Sequence, residues 1–296
     1  MSATTTRTRP AHSQDVAPRH HRMPRPAKIV LYVVLIGIAA AYIYPFAVQV
    51  ATSFKTDAAA ANDPLGLWPN PFSTAAYSKL FGNSDYPLWF RNSVIVTVLV
   101  TVGRVLINSL AGYSLARLKF RGRGAVFAGI VAVMAVPGVV LLIPKFLVLK
   151  ELGMYNTYSA LVIPLLADAT GVFIMKNFFE SIPPSVEEAA RLDGAGTLRL
   201  WWSIVLPMAV PAIITITILG FQGSWNELSH FIVASQDPNL VTLTKGVAQL
   251  SSGQLGSGTQ YPLKLGAAVI MTIPVAVLFF VFQRRIVDTG AGAVKG

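Results

Sequence analysis

The sequence predicts an all-α integral membrane protein, a bundle of six transmembrane helices with a helical loop standing out on one side. Three observations carry that prediction. Hydrophobic residues fill 53% of the 296 positions, only 12% are charged and mean hydropathy is +0.57, whereas ordinary soluble domains are about one quarter charged. Six runs approach the roughly 20 apolar residues needed to cross a hydrocarbon core: 29–50, 92–116, 125–148, 157–179, 205–228 and 263–283. Lys and Arg gather in alternate connections between those runs, as membrane orientation requires.

Taken in order, residues 1–28 are rich in Thr, Pro, Arg and His and read as a disordered basic tail. The run 29–50 is too long for a signal-peptide core and follows a long polar stretch, so it is expected to remain as a span. In 51–91 the stretch NDPLGLWPNPF reads as an ordered excursion packed by Leu67, Trp68 and Phe72. The later runs carry Pro137, Pro144, Pro164, Pro211 and Pro274, which bundled membrane helices tolerate as kinks. Basic residues crowd the first tail, the 117–124 loop, the 182–203 loop and the C-terminus, while the opposite side holds only Lys55, Lys79, Lys150 and Lys245 in its loops, with Arg91 and Lys264 at helix ends. Both termini are therefore expected in the cytoplasm. The bundle should occupy 29–285, with a short cytoplasmic tail at 286–296.

The loop at 182–204 is the most informative stretch. Pro183 and Pro184 stop the fourth run; Ser185 with Glu188 three residues on makes a capping box, so a short helix should start there. Val186, Ala189, Ala190 and Asp193 then fall on one narrow face of small residues suited to a close-packed partner. Gly194 and Gly196 should end that helix, and Thr197 can cap a second one bearing Trp201 and Trp202, which suit a membrane interface. Ile204, Leu206 and Pro207 lead into the fifth run.

Glu188, Ala189 and Ala190, followed by Asp193 and Gly194 and then by Ile204, Leu206 and Pro207, resemble without a gap the EAA loop of permease subunits in binding-protein-dependent ABC importers. RNSVIVTVL, GYSLARLKFRGRG, SWNELSHFIVASQDPNLVTL and the terminal GAGAVKG extend the resemblance to carbohydrate permeases of the maltose-transporter type, the shorter of the two permease subunits. The resemblance implies that the loop docks on a separate ATPase subunit through Glu188 and Gly194. It implies a second ATPase contact at Gly292, Ala293, Val294, Lys295 and Gly296. It also implies a second, non-identical permease subunit, two ATPase subunits that use ATP and Mg, and an extracytoplasmic solute-binding protein. The long N-terminal tail, the stretch SSGQLGSGTQ and Arg104 depart from the pattern.

The chain itself offers no catalytic constellation. No lysine follows a glycine, so a P-loop lysine in its usual setting is absent. There is no cysteine, the four histidines do not cluster and the carboxylates are scattered, so neither a metal site nor a cofactor site is expected. The net charge of +11 sits in loops and tails that face lipid headgroups, and no nucleic acid is expected as a partner.

Arg104 lies roughly 20 Å along a helix from both Arg91 and Arg117, near the bilayer midplane, with Asp168 at similar depth. A charge there should face protein or a wet cavity. Two readings stand: Arg104 and Asp168 pair or border the translocation path, or they form a buried structural ion pair away from it. Trp225 and Asn226, about 27 Å beyond Pro207, either line the mouth of the path by stacking and hydrogen bonding a sugar or sit in the interfacial belt.

The functional expectation is the permease subunit of an ATP-driven carbohydrate importer. A glycerol-3-phosphate or other non-sugar importer is the alternative solute reading. A secondary transporter and a membrane scaffold are the competing classes, and neither accounts for a surface-exposed EAA helix.

Overall fold

The computed structural model describes residues 24–82, 84–252 and 260–292. Among them there is no strand. The helices are α1 (Arg25–Ser53), α2 (Asp57–Asn62), α3 (Ala75–Gly82), α4 (Tyr86–Arg117), α5 (Arg123–Met134), α6 (Leu142–Glu151), α7 (Tyr158–Leu166), α8 (Ala169–Ser181), α9 (Pro184–Leu192), α10 (Thr197–Leu200), α11 (Leu206–Met208), α12 (Val210–Trp225), α13 (Ser229–Ala234), α14 (Leu243–Ser251) and α15 (Tyr261–Gly292). A π-helical turn, Trp201–Val205, joins α10 to α11. The chain divides into two compact units, Met1–Phe46 and Ala47–Gly296. In the first, α1 begins at Arg25, ahead of the expected position 29, and carries exposed apolar side chains such as Ile29, Val33 and Ile36.

In the second unit α4 is the central mast. Its 32 residues extend about 48 Å and touch three buried clusters in turn. Tyr86 and Trp89 pack with Trp225, Leu243 and Leu263. Val96 and Val100 pack with Leu161, Leu165 and Phe231. Tyr113 packs with Met175, Phe179, Trp201, Val205 and Ile216. Small residues set how closely α8 can lie against the mast: a Cβ on Gly112 would stand 2.7 Å from Met175 Cβ and 2.9 Å from the Lys176 nitrogen. Small residues at such crossings are the usual basis of close helix packing in membranes.

Three of the expected spans are not straight. The run 125–148 is α5 followed by Gly138–Glu151, meeting at 101°. Pro137, at the break, can neither donate a helical hydrogen bond nor continue the preceding turn. The run 205–228 bends by 83° between Thr197–Met208 and α12, around Ala209, where Pro211 in the first turn of α12 again withholds a donor. The run 157–179 is interrupted at Ala167 and Asp168 between α7 and α8, although Tyr158–Ser181 still qualifies as one span. Among the described residues, four helices are long and apolar enough to cross a membrane, or up to six if each bent pair is one span.

Two further expectations change. Leu67 and Trp68 do not pack the 51–91 loop; both are exposed, Trp68 at 83%. The loop is held instead by Phe72 stacked on Phe54 at 5.2 Å and by buried Lys55, whose ammonium donates to the Asp63 carbonyl at 2.6 Å. At the other end, α15 runs on to Gly292 rather than giving way to a tail at 286; Ala293, Val294, Lys295 and Gly296 lie outside the described residues.

Candidate functional site

The 182–204 loop forms the helix, turn and helix expected of it, with different caps. Pro183 takes the N-cap position and Pro184 the first turn of α9, and no side chain caps the helix. Proline's fixed φ and missing N–H suit that first turn, so the Ser185–Glu188 capping box does not form. The C-terminus ends as expected. Gly194 has φ of +81°, the Gly194 N–H reaches the Arg191 carbonyl at 3.0 Å and the Ala195 N–H reaches the Ala190 carbonyl at 3.0 Å. That pair of bonds is the Schellman closure, and it places glycine where a left-handed residue is needed.

The buried face of α9 differs from the small-residue stripe. Glu187 and Ala190 are buried and Val186 is half-buried, whereas Ser185, Glu188, Ala189, Leu192 and Asp193 face outward. Ala190 therefore supports the helix from beneath, and Glu188, Ala189 and Asp193 are the residues free to meet a partner. Leu192 is 89% exposed and Leu198, across the turn, 70%. Both leucines thus stand exposed beside the Asp193 carboxylate at the Gly194 turn.

Beneath α9 lies a polar anchor. The Arg117 Nε stands 3.0 Å from Glu187 Oε1, and Arg117 Nη2 donates to the carbonyls of Phe179 at 2.6 Å and of Ile182. The Tyr113 hydroxyl donates to Glu187 Oε2 at 3.4 Å, and Arg191 Nη2 lies 4.0 Å from the same oxygen. The Arg117 and Glu187 side chains are only 11% and 8% exposed. A buried carboxylate is stable only when paired in this way, which explains why Glu187 and not its neighbour Glu188 points inward.

The second helix of the loop begins at Gly196, not at a Thr197 cap. Leu200, Trp201 and Val205 insert into the core while Trp202 stays outside, so only one of the two tryptophans is placed for an interface. Ile204 and Leu206 are half-buried and Pro207 is exposed, flanking the fully buried Val205.

Within the bundle Arg104 and Asp168 do not form an ion pair. Arg104 Nε donates to the Leu165 carbonyl at 2.6 Å, at the end of α7. Its Nη1 would lie 3.2 Å from a Cβ on Gly223, so the missing side chain of α12 leaves room for the guanidinium. Asp168 is the N-cap of α8, its Oδ2 accepting from the Gly171 N–H at 2.8 Å. Asn108 packs against the same turn, its amide nitrogen 2.0 Å from where a Gly171 Cβ would stand.

Trp225 is 2% exposed. Its ring stacks on Phe221 at 5.7 Å and meets Phe90 edge-on at 5.9 Å, and its Nε1 donates to the Met271 carbonyl at 3.0 Å. It is a core residue, available neither to a sugar nor to an interfacial belt. Asn226 is exposed and bonds back to the Gln222 carbonyl. Nearby, Glu227 accepts from the His230 N–H at 2.8 Å. Burial pushes the His230 imidazole below its ordinary pKa, and its Nε2, 2.9 Å from the Ala160 carbonyl, must carry the proton because a carbonyl only accepts.

Sequence reasoning missed Glu187, Arg117 and Tyr113. The available signal was two successive carboxylates, Glu187 and Glu188, on one short helix, since adjacent positions lie about 100° apart and do not share a face.

A multi-helix bundle with an exposed helix-turn-helix between two candidate spans defines a polytopic membrane protein. Residues 108–288 match the family described as binding-protein-dependent transport system inner membrane component, and the chain belongs to it. It is 34% identical to the sulfoquinovosyl glycerol transport system permease of Agrobacterium fabrum over 83% of this chain and 86% of that one. It is 29% identical to the trehalose/maltose transport system permease of Thermococcus litoralis over 91% and 97%. A chain of a bacterial ABC transporter that imports the acidic polysaccharide alginate superposes with a TM-score of 0.76 at 26% identity, covering 90% of this chain and 99% of that one.

Proposed function

We propose that this chain is one of two non-identical permease subunits in an ATP-driven carbohydrate importer, docking a separate ATPase subunit through α9. The observation that carries the proposal is the exposed patch of Glu188, Ala189, Leu192, Asp193 and Leu198 around the Gly194 turn, set on a buried anchor. ATP-driven closure of two ATPase subunits displaces α9, the bundle rocks, and solute delivered by a binding protein passes inward. In this reading both termini and α9 lie in the cytoplasm, and the ATP and Mg belong to the partners. The relatives serve sulfoquinovosyl glycerol and trehalose/maltose transport, which supports a glycan solute.

The test is mass spectrometry of proteins co-purifying with tagged chain from gently solubilised native membranes. Wild type is expected to bring down an ATPase subunit and a second permease, and Glu188→Lys and Gly194→Asp to lose the ATPase alone. Recovery of the wild-type chain by itself, in a detergent that preserves known complexes, overturns the proposed assembly with a second permease and an ATPase docked on α9.

Arg104 favours a second reading, in which the solute is anionic, a phosphorylated polyol such as glycerol 3-phosphate or an acidic sugar. Its Nε is held by a backbone carbonyl rather than a carboxylate, and a guanidinium presented in this way suits phosphate or carboxylate. Binding protein loaded with glycerol 3-phosphate or galacturonate should then stimulate the reconstituted ATPase, and maltose-loaded protein should not.

A further inference from the structure

The short helix that meets the ATPase is poorly fitted to pass on a displacement by itself. At nine residues α9 has too few internal hydrogen bonds to hold its own shape against a load. The turn that follows it contains Gly194 and Gly196, and a Cβ at either position would meet no neighbour within 4 Å. Those two positions are open on the side where a Cβ would stand, so little side-chain packing stiffens the turn. Ahead of α9, the chain arrives through Ile182 and Pro183 in extended conformation. Val186 packs α9 against the cluster of Tyr113, Met175 and Phe179, but apolar contact is non-directional, so a push on α9 would slip at these joints unless a directional side-chain contact bypassed them.

Arg117 supplies that bypass. It is the last residue of α4. One of its nitrogens serves two carbonyls at the end of α8, Phe179 and Ile182, and another faces the Glu187 carboxylate of α9. Helix C-termini leave carbonyls without intrahelical partners, so the guanidinium both caps α8 and grips α9. Only arginine has the planar set of nitrogens to do both at once; a lysine ammonium in that place could not hold the two carbonyls and the Glu187 ion pair in the same geometry. Tyr113, one turn back on α4, adds its hydroxyl to the same carboxylate.

We propose that Arg117 is a positioning residue for energy coupling: through Glu187 and the α8 carbonyls it makes α9 and the adjoining ends of α4 and α8 move as one body. The inference rests on the reading that α9 docks the ATPase.

The absence of cysteine allows clean spin labelling of the intact importer, purified with its partner subunits. Labels at Ser185→Cys, exposed on α9 and outside the docking patch, and Leu110→Cys on α4 report the distance between the two helices in the nucleotide-free and the ADP-vanadate-trapped states. The expected wild-type result is one narrow distance, the same in both states. Glu187→Gln, which keeps the side chain's shape and removes its charge, is expected to let that distance change on trapping. Arg117→Lys should do the same, and the double variant should do no more than either single one, as members of one contact behave. A Glu187→Gln distance as constant as wild type, or additive effects in the double variant, overturns the proposal. If Arg117→Lys does not assemble, Glu187→Gln decides alone. A merely structural anchor predicts a shifted distance that is equal in both states, and that outcome also overturns it. Loss of the ATPase from Glu188→Lys, measured alongside, separates failure of this link from failure of the docking reading.

Discussion

Single residues fix how closely the helices of this bundle can approach. Gly112 sits where α4 presses on α8, with Met175 and the Lys176 backbone inside the distance any side chain would need. Gly112→Val is therefore expected to destabilise the protein by about 2–3 kcal/mol, as overpacking does, lowering the melting temperature in detergent. Gly129→Val, on α5 with nothing within 4 Å of the added carbon, should leave it nearly unchanged. Equal shifts for the two would mean that the α4–α8 contact is not the limiting one. At this scale the sequence was legible in part. Gly194 could be recognised because a helix end followed by glycine has one main explanation. The inward turn of Glu187 could not, since its burial depends on Arg117, seventy positions away in sequence.

Among the elements, the interruption between α7 and α8 gives Asp168 a role that its position in an apolar run does not announce. As N-cap it satisfies the Gly171 N–H, so Asp168→Ala should cost about 1 kcal/mol of stability and Asp168→Asn much less. Thermal unfolding of the two variants checks the cap, and transport checks the path. If Asp168→Asn is stable yet inactive, the carboxylate serves solute as well as helix. The bends after α5 and before α12 were hidden from a hydropathy reading, because an apolar run has composition but no direction. The same blindness misplaced Trp225: counting rise per residue from Pro207 assumes a straight axis, and an 83° bend lies between the two.

Among the described residues, long apolar lines stay exposed. Val94, Val98, Val102 and Leu106 form an exposed line along α4, and Ile273, Val277 and Phe280 another on α15. Lipid can solvate such lines, but a second permease would cover part of them. Expression of this chain alone is expected to give aggregating or rapidly degraded protein in mild detergent, and co-expression with its permease partner a monodisperse complex, as size-exclusion chromatography would show. A monodisperse, stable chain on its own would argue that lipid is sufficient cover. The membrane class and the helix-turn-helix form of the loop were readable because composition and a spaced motif need no tertiary contacts. The anchor beneath the loop was not, because it is assembled from three elements.

The bend at Ala209 also sets a mechanical ratio. Thr197–Met208 lies across the foot of α12 rather than in line with it, an arm about 18 Å long. Pushed at its free end by about 3 Å, such an arm turns through about 10° at its root. The helix above would then be swivelled rather than lifted, turning the face that Gly220 and Gly223 present to Arg104.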